Sequence, residues 1–517
     1  MSNHKLLEDS CLKMLKNALF GLFGTIVVCL LYCFSFSLKK PVDSHYFAVY
    51  PSDINDFGDF YQRIELDKAW EISKGSSDVS LGVIDSGIDG LSSPDLSPNL
   101  NVTLSRDLFD PQGNPFVDNA HHGTYVANKI GAIGENNYGK TGVVWNLDMI
   151  SLKIANNTDY QEDLDAFLDA VEYATYYNIP IINFSGGFYY NLLSFSNLLL
   201  DGAAIPINNY SGLIVCAAGN ENYDLDVHYL FPAILPFDNI IVVGASKMNV
   251  DEMYCGHTNY GESTVDLFAP AEWTSYAAPL VSGTAAMLLS INPTLTASQL
   301  KSLIMDNVDY STDLDGLCVS NGRLNVYRAA KAAIPAIGLG VNYSLKPLKI
   351  GEDHWYCFEC DNGIYTFETT GNCNTIGELY ADIQSNPLCI SSSGGSGDNF
   401  SMTYQLLAGT YYLKISTINS ATPNNYIINV SNHGHSYTYS YSSTGSTYHK
   451  SYCQCGSYVL KPHVFPSTNF GFGPCSFCGE PYRFSFLENA IPICSESYID
   501  YYGNLYLSIN DYDDLIY

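Results

Sequence analysis

The chain has 517 residues, with 23 Lys and Arg against 53 Asp and Glu, a formal charge of −30. That charge excludes nucleic acid and an anionic membrane surface as partners, because both would meet repulsion over most of the protein. Only 15% of residues are charged while 46% are hydrophobic, with 41 Tyr and 41 Gly, which excludes disorder and suits a Tyr-rich, strand-rich extracytoplasmic protein of several domains.

Residues 1–17 read as a short cytoplasmic stretch or the n-region of a signal. Ala18 to Leu38 follows with 21 residues and no charge. As a helix it would span about 31 Å, the thickness of a bilayer core. Lys13 and Lys16 precede it and Lys39 and Lys40 follow it, so its orientation is weakly specified. Ser35-Phe36-Ser37 is a poor cleavage site, which leaves a retained membrane anchor and a cleaved signal both open. Either places the bulk of the chain outside the cytoplasm, at the cell surface or secreted.

From residue 52 to about 332 the pattern is β/α. Val79–Ile84, Pro180–Phe184, Leu213–Ala217 and Ile240–Gly244 are apolar runs suited to strands buried on both faces. Between them, Asp163 to Tyr177 carries Leu164, Phe167, Leu168, Val171 and Ala174 at helical spacing, and Ala285–Ile291 reads as a buried small-residue helix. The expected fold class is α/β, a parallel sheet with helices on both faces.

Three stretches in this region carry chemistry. Val83-Ile-Asp-Ser-Gly87 puts Asp85 in a turn at the carboxyl edge of the sheet, where open α/β folds place their sites. His122-Gly-Thr-Tyr-Val-Ala127 opens a helix whose small residues allow close packing. Thr274-Ser-Tyr-Ala-Ala-Pro279 puts Ser275 at the start of another. Taken singly, Asp85 reads as a turn former, Ser275 as a helix cap and Asn220 as a turn residue. Asp, His and Ser in this order, each in its own context, resemble the subtilisin-like serine proteases. Lys68–Gly75, Val215-Cys-Ala-Ala-Gly-Asn-Glu221, Phe231-Pro-Ala233, Asn259-Tyr-Gly261 and Gly322-Arg-Leu-Asn325 extend the resemblance over residues 52–332.

The resemblance implies an endopeptidase acting on proteins or peptides, with no cofactor required for catalysis. Ser275 would attack the carbonyl, His122 would take and return the proton, and Asp85 would hold the imidazole tautomer. Asn220 would donate its amide to the oxyanion. Ser185, Gly186 and Gly187 would run beside the substrate backbone. His121 is expected at the surface, and Cys216, Cys255 and Cys318 as buried or unpaired thiols. The family often carries a folded propeptide, for which Lys39 to Pro51 is too short, so any folding helper is expected to be separate or dispensable.

One departure stands out. The family has a hairpin between Phe268-Ala-Pro270 and Thr274-Ser275, and here only Ala271-Glu-Trp273 remain. Five Cα steps reach at most about 18 Å. The readings are an altered but active site, an internal deletion, or an inactive descendant serving as a surface binding protein.

From 341 to 430 the strands alternate and are rich in Tyr and Thr, as in Gly363–Thr369 and Gly409–Ile415, and a small β-sandwich is expected. Tyr365–Gly371, Gly377–Tyr380, Asp398–Phe400 and Ala408–Leu413 resemble the bacterial pre-peptidase C-terminal domain, which implies an accessory module. Asp382 and Asp398 read as solvated loop carboxylates, with a calcium ion as the alternative. Cys357 and Cys360 read as a strand-end disulfide or free thiols. With 15 Cys, an odd number, and Cys29 and Cys33 inside the apolar N-terminal run, no complete disulfide framework follows. Residues 431–480 form a small His/Cys-rich module in which His449, Cys453, Cys455, His463, Cys475 and Cys478 supply the ligands of one structural zinc or the sulfurs of two disulfides. Residues 481–517 are an acidic, Tyr-rich tail.

Overall fold

The protein is described here by a computed structural model. It describes residues 61–432 apart from 137, 140, 155–159, 248–253, 341–346 and 418–424, and beyond 432 only the backbone of short strands. The segment 18–38 and the ligand set Cys453, Cys455, His463, Cys475 and Cys478 lie outside the described residues. The chain divides into two compact units between Ile334 and Pro335.

The first unit is built on nine strands: β1 (Gly75–Asp85), β2 (Arg106–Asp107), β3 (Asn146–Lys153), β4 (Ile181–Phe184), β5 (Leu213–Ala217), β6 (Ile240–Ser246), β7 (Leu267–Pro270), β8 (Asp309–Tyr310) and β9 (Gly322–Arg323). Their order across the sheet is β8-β9-β7-β6-β5-β4-β1-β3-β2. All neighbours run parallel except β8 and β9, which pair antiparallel at one edge. The sheet is thus the expected parallel one, with a single antiparallel pair added at one edge. The two edge strands are two residues each and carry no periodicity to read.

The inner strands are apolar without alternation because helices cover both faces. Every residue of β4, β5 and β6 is buried. Helices α1 (His122–Gly131), α2 (Tyr160–Tyr176), α3 (Thr274–Ile291), α4 (Ala297–Asp306) and α5 (Val326–Ala333) supply the cover. On one side Phe167, Ala170, Val171 and Ala174 of α2 pack into a core with Ile84, Ile182, Phe184 and Ile214. On the other, α3 runs against β1, β4, β5 and β6. It is the one helix among the described residues long and apolar enough to cross a membrane by length and composition, and 89% of it is buried inside the protein.

The register decides where the site falls. Ile84 pairs with Phe184, and Phe184 with Cys216, so β1, β4 and β5 end level with one another. Asp85, Ser185 and the Gly219-Asn220 turn therefore emerge side by side at the carboxyl edge. α3 begins at that same edge, after only three residues beyond β7.

The second unit contains a four-stranded sheet (His354–Cys360, Gly409–Thr417, Thr375–Tyr380, Cys389–Ser391) and a three-stranded one (Ser401–Leu406, Gly363–Gly371, Tyr426–Asn432). Alternate residues of Gly363–Gly371, namely Tyr365, Phe367 and Thr369, turn inward. Tyr365 and Phe367 join Tyr356, Leu379, Phe400, Leu413 and Ile428 in one core, the expected sandwich. Cys357 and Cys360 are free thiols. Asp398 is exposed, and Asp382 Oδ1 accepts the Gln384 amide at 3.0 Å. Among the described residues no group of three or more His, Cys, Asp or Glu gathers to hold a metal.

Candidate active site

The carboxyl edge of the first unit brings together the ends of three strands and the first turns of two helices. Asp85, the last residue of β1, and His122, the first of α1, are both buried, at 1% and 6% exposure. His122 Nδ1 lies 2.8 Å from Asp85 Oδ1 and 3.1 Å from Oδ2. An ionised carboxylate only accepts, so Nδ1 carries the proton and Nε2 is left with its lone pair.

The glycine after His122 makes this approach possible. A Cβ at Gly123 would stand 2.2 Å from the Gly87 carbonyl oxygen and 3.0 Å from Asp85 Oδ1. Neither neighbour is a flexible side-chain end. Gly123→Ala is expected to cost about 1–3 kcal/mol, as overpacking does, and to separate the pair. A lowered melting temperature together with loss of the downfield Nδ1 proton resonance would establish both effects.

Burial disfavours the charged ring, yet the Asp85 carboxylate beside it and their hydrogen bond, with help from the Asp118 charge, hold the imidazole above its ordinary value. The ring is stacked by Tyr276, with centroids 5.8 Å apart and planes at 27°. Tyr276 in turn packs on Tyr125, at 4.3 Å. Burial pushes the Tyr276 phenol up to about 12, so it faces the site as a neutral group.

Ser275 is the second residue of α3 and is half-buried, and its hydroxyl makes no hydrogen bond among the described residues. The short connection from β7 is a plain bend. The Ala271 amide donates to the Ser246 carbonyl at 3.1 Å, and the Trp273 carbonyl receives the Tyr276 and Ala277 amides at 2.9 and 3.1 Å. His257 packs on the Trp273 ring at 4.8 Å and lies 2.6 Å from the Glu272 carbonyl oxygen through Nε2. The expected hairpin is absent, yet Thr274 reaches the Gly219-Asn220 turn.

That contact orients Asn220. Its Oδ1 accepts the Thr274 amide at 2.9 Å and the Thr274 hydroxyl at 3.1 Å, while the same hydroxyl oxygen accepts the Gly219 amide at 3.1 Å. With the carbonyl end occupied, the amide end is the one available to donate. Asn259, fully buried, braces the turn from below through the Ala218 carbonyl and the Glu221 and Tyr223 amides. Gly219 has φ +92, and a Cβ there would meet Asn259 Nδ2 at 2.4 Å.

Ser185 turns away from the site. Its Oγ accepts from Asn183 Nδ2 at 3.0 Å, and Asn183 Oδ1 accepts from Ser282 of α3 at 2.8 Å. A Cβ at Gly187 would meet Leu230 at 2.6 Å and one at Gly186 would meet Phe184 at 3.1 Å, so packing beneath the segment is a reason for both glycines. His121 is exposed with φ 60, as a left-handed residue before α1, and Cys216 and Cys318 are buried free thiols while Cys255 is half-buried and free.

Two contributors escaped the sequence reading, Thr274 as the partner of Asn220 and Asp118. Asp118 is buried, and its Oδ2 accepts the Thr124 amide and hydroxyl at 2.8 and 2.6 Å. An Asp shortly before a helix start, six residues from the Thr it holds, is the signal that could have found it.

Residues 76–327 match the model of the subtilase family. Halolysin of Haloferax mediterranei is 29% identical over 283 residues, which are 50% of this chain and 51% of that protein. Subtilisin E of Bacillus subtilis is 29% identical over 272 residues, 49% of this chain and 66% of that protein. Subtilisin DY of Bacillus licheniformis is 29% identical over 285 residues, 52% of this chain and 96% of that protein. The chain thus spans about half to two thirds of the length of the first two relatives. The sheet order, the buried Asp-His pair and the family match coincide in the same stretch, and residues 76–327 have the subtilase fold and are similar in sequence to the subtilisins.

Proposed function

We propose that this domain is a serine endopeptidase that hydrolyses peptide bonds in proteins or peptides. The observation that carries the reading is the joining of two half-sites at one sheet edge: the Asp85–His122 pair at 2.8 Å, and Asn220 bound through Thr274 to the first turn of the helix bearing Ser275. Ser275 Oγ attacks the carbonyl carbon as its proton passes to His122 Nε2. Asp85 stabilises the resulting imidazolium, and the Asn220 amide receives the oxyanion. His122 then returns the proton to the leaving amine, and water hydrolyses the acyl-enzyme by the same exchange. The Ser185–Gly187 backbone offers the substrate an extended partner beside β4.

Asn220→Ala tests the oxyanion assignment. It is expected to lower kcat about 10²–10³-fold with little change in KM, because the donor acts on charge that develops only in the transition state. An equal loss in KM with kcat intact would remove Asn220 from that role.

The alternative is a binding scaffold without turnover, favoured by one observation, the unpartnered Ser275 hydroxyl beyond a connection lacking the family hairpin. Replacing Ala271–Trp273 by a family-length hairpin with Gly before Thr274 separates the two readings. A wild type that is folded and inert, rescued by the insertion, assigns the loss to the connection. We further propose that residues 18–38 anchor the chain to a membrane or direct its export, with the catalytic unit outside the cytoplasm, and that 341–430 is an accessory module. Protease accessibility of residues 52–517 in intact cells tests the location, and full protection contradicts it.

A further inference from the structure

The hydroxyl of Ser86, the residue after Asp85, stands between two buried carboxylates. Its oxygen is 2.7 Å from Asp118 Oδ1 and 3.1 Å from Asp85 Oδ1, and it accepts the Gly123 amide at 3.0 Å. A hydroxyl has one proton to give. The shorter contact takes it to Asp118. Asp85 Oδ1 already accepts the Ser86 amide at 2.7 Å and faces His122 Nδ1 at 2.8 Å, so a third donor would compete with the imidazole. Asp118 is itself fixed, since its second oxygen is held by Thr124 on the helix that carries His122.

We propose that Asp118 is a positioning residue of this site: it claims the Ser86 hydroxyl proton, so that Asp85 keeps Oδ1 for His122. This rests on the peptidase reading for its consequence in turnover, though not for its geometry. The charged and titratable groups around His122 are Asp85 on β1, Asp118 before α1, Tyr276 on α3, and Tyr125 and Lys129 on α1, with Lys129 over the Tyr276 ring at 5.9 Å. Of these, Asp85 and Asp118 favour the imidazolium. In Asp118→Asn the side-chain carbonyl can still cap Thr124, and the amide end donates to Ser86. The Ser86 proton then turns to Asp85 Oδ1, and one negative charge near the ring is gone.

The test is the titration of His122 in the full chain carrying ¹⁵N-histidine, its signals identified by their loss in His122→Gln. Asp118→Asn is expected to lower the midpoint by roughly 0.5–1 unit, and most of that shift is expected to vanish in a Ser86→Ala background, where there is no hydroxyl to turn. In the peptidase assay the acid limb of kcat/KM moves down with it while KM holds. A reduced melting temperature with an unmoved midpoint overturns the proposal and leaves Asp118 a helix cap. So does a shift of equal size with and without the Ser86 hydroxyl, which leaves only its charge. Should Asp118→Asn not fold, Ser86→Ala alone is expected to leave the Nδ1 proton resonance in place, because the hydroxyl it removes gives its proton to Asp118, and a displaced resonance, the mark of a proton already shared with Asp85, overturns the proposal. The titration needs no turnover, so an inert wild type counts against the peptidase reading and not against this one.

Discussion

Ser275→Ala and His122→Ala are each expected to reduce kcat for peptide hydrolysis by about 10⁶-fold, and the double variant by hardly more, because nucleophile and base act as a unit. His121→Ala is expected to leave most of the activity, since its side chain is exposed and it serves the backbone turn into α1. The comparison of the two adjacent histidines is informative because a general disturbance of this helix start would strike both. Steady-state rates on a peptide mixture, with circular dichroism to establish folding, are sufficient. Equal losses at His121 and His122 would remove the assignment of the base.

Asp85→Asn carries the second largest expected effect, about 10⁴-fold in kcat. Its amide would donate to Nδ1, forcing the proton onto Nε2, where it blocks acceptance from Ser275. The pH dependence moves as well. His122 in the folded protein sits above its ordinary value, so its protonated form stabilises the fold at low pH, and that contribution is lost as pH rises through the folded value. Hydrolysis needs the neutral ring and has the opposite sign, rising as pH climbs through the same value. Without the Asp85 charge, both the acid limb of kcat/KM and the pH window of this stabilisation are expected to shift to lower pH. A kcat profile whose acid limb stays in place would show that another group controls it.

The central sheet was legible because β4, β5 and β6 are buried on both faces and so read as unbroken apolar runs. The edge pair β8 and β9 was not, since two residues have no period. Asp85 and His122 were legible through the residues around them: Gly123 appears in the sequence because a methyl group there would strike the Gly87 carbonyl oxygen. For Ser185 the sequence indicated only the course of the backbone; that its side chain bonds Asn183 in the core depends on the tertiary position of Ser282 in α3. The contacts of Thr274 with Asn220 and of Asp118 with Ser86 join residues 54 and 32 apart in sequence, and no local pattern announces them.

Thr274 is fully buried and bonds Asn220 directly, so the first turn of α3 is fixed from the Asn220 side. Pro279 has no amide hydrogen to return to the Ser275 carbonyl, which loosens the opening turn of the helix around Ser275.

A serine-directed fluorophosphonate applied to the folded full chain tests the central claim most directly, because it reports nucleophile, base and oxyanion donor in one covalent event. One labelled peptide containing Ser275 is expected, with labelling lost in Ser275→Ala, nearly lost in His122→Ala and slowed in Asn220→Ala. A folded wild type that takes no label, or one whose label on Ser275 is indifferent to His122, would contradict it.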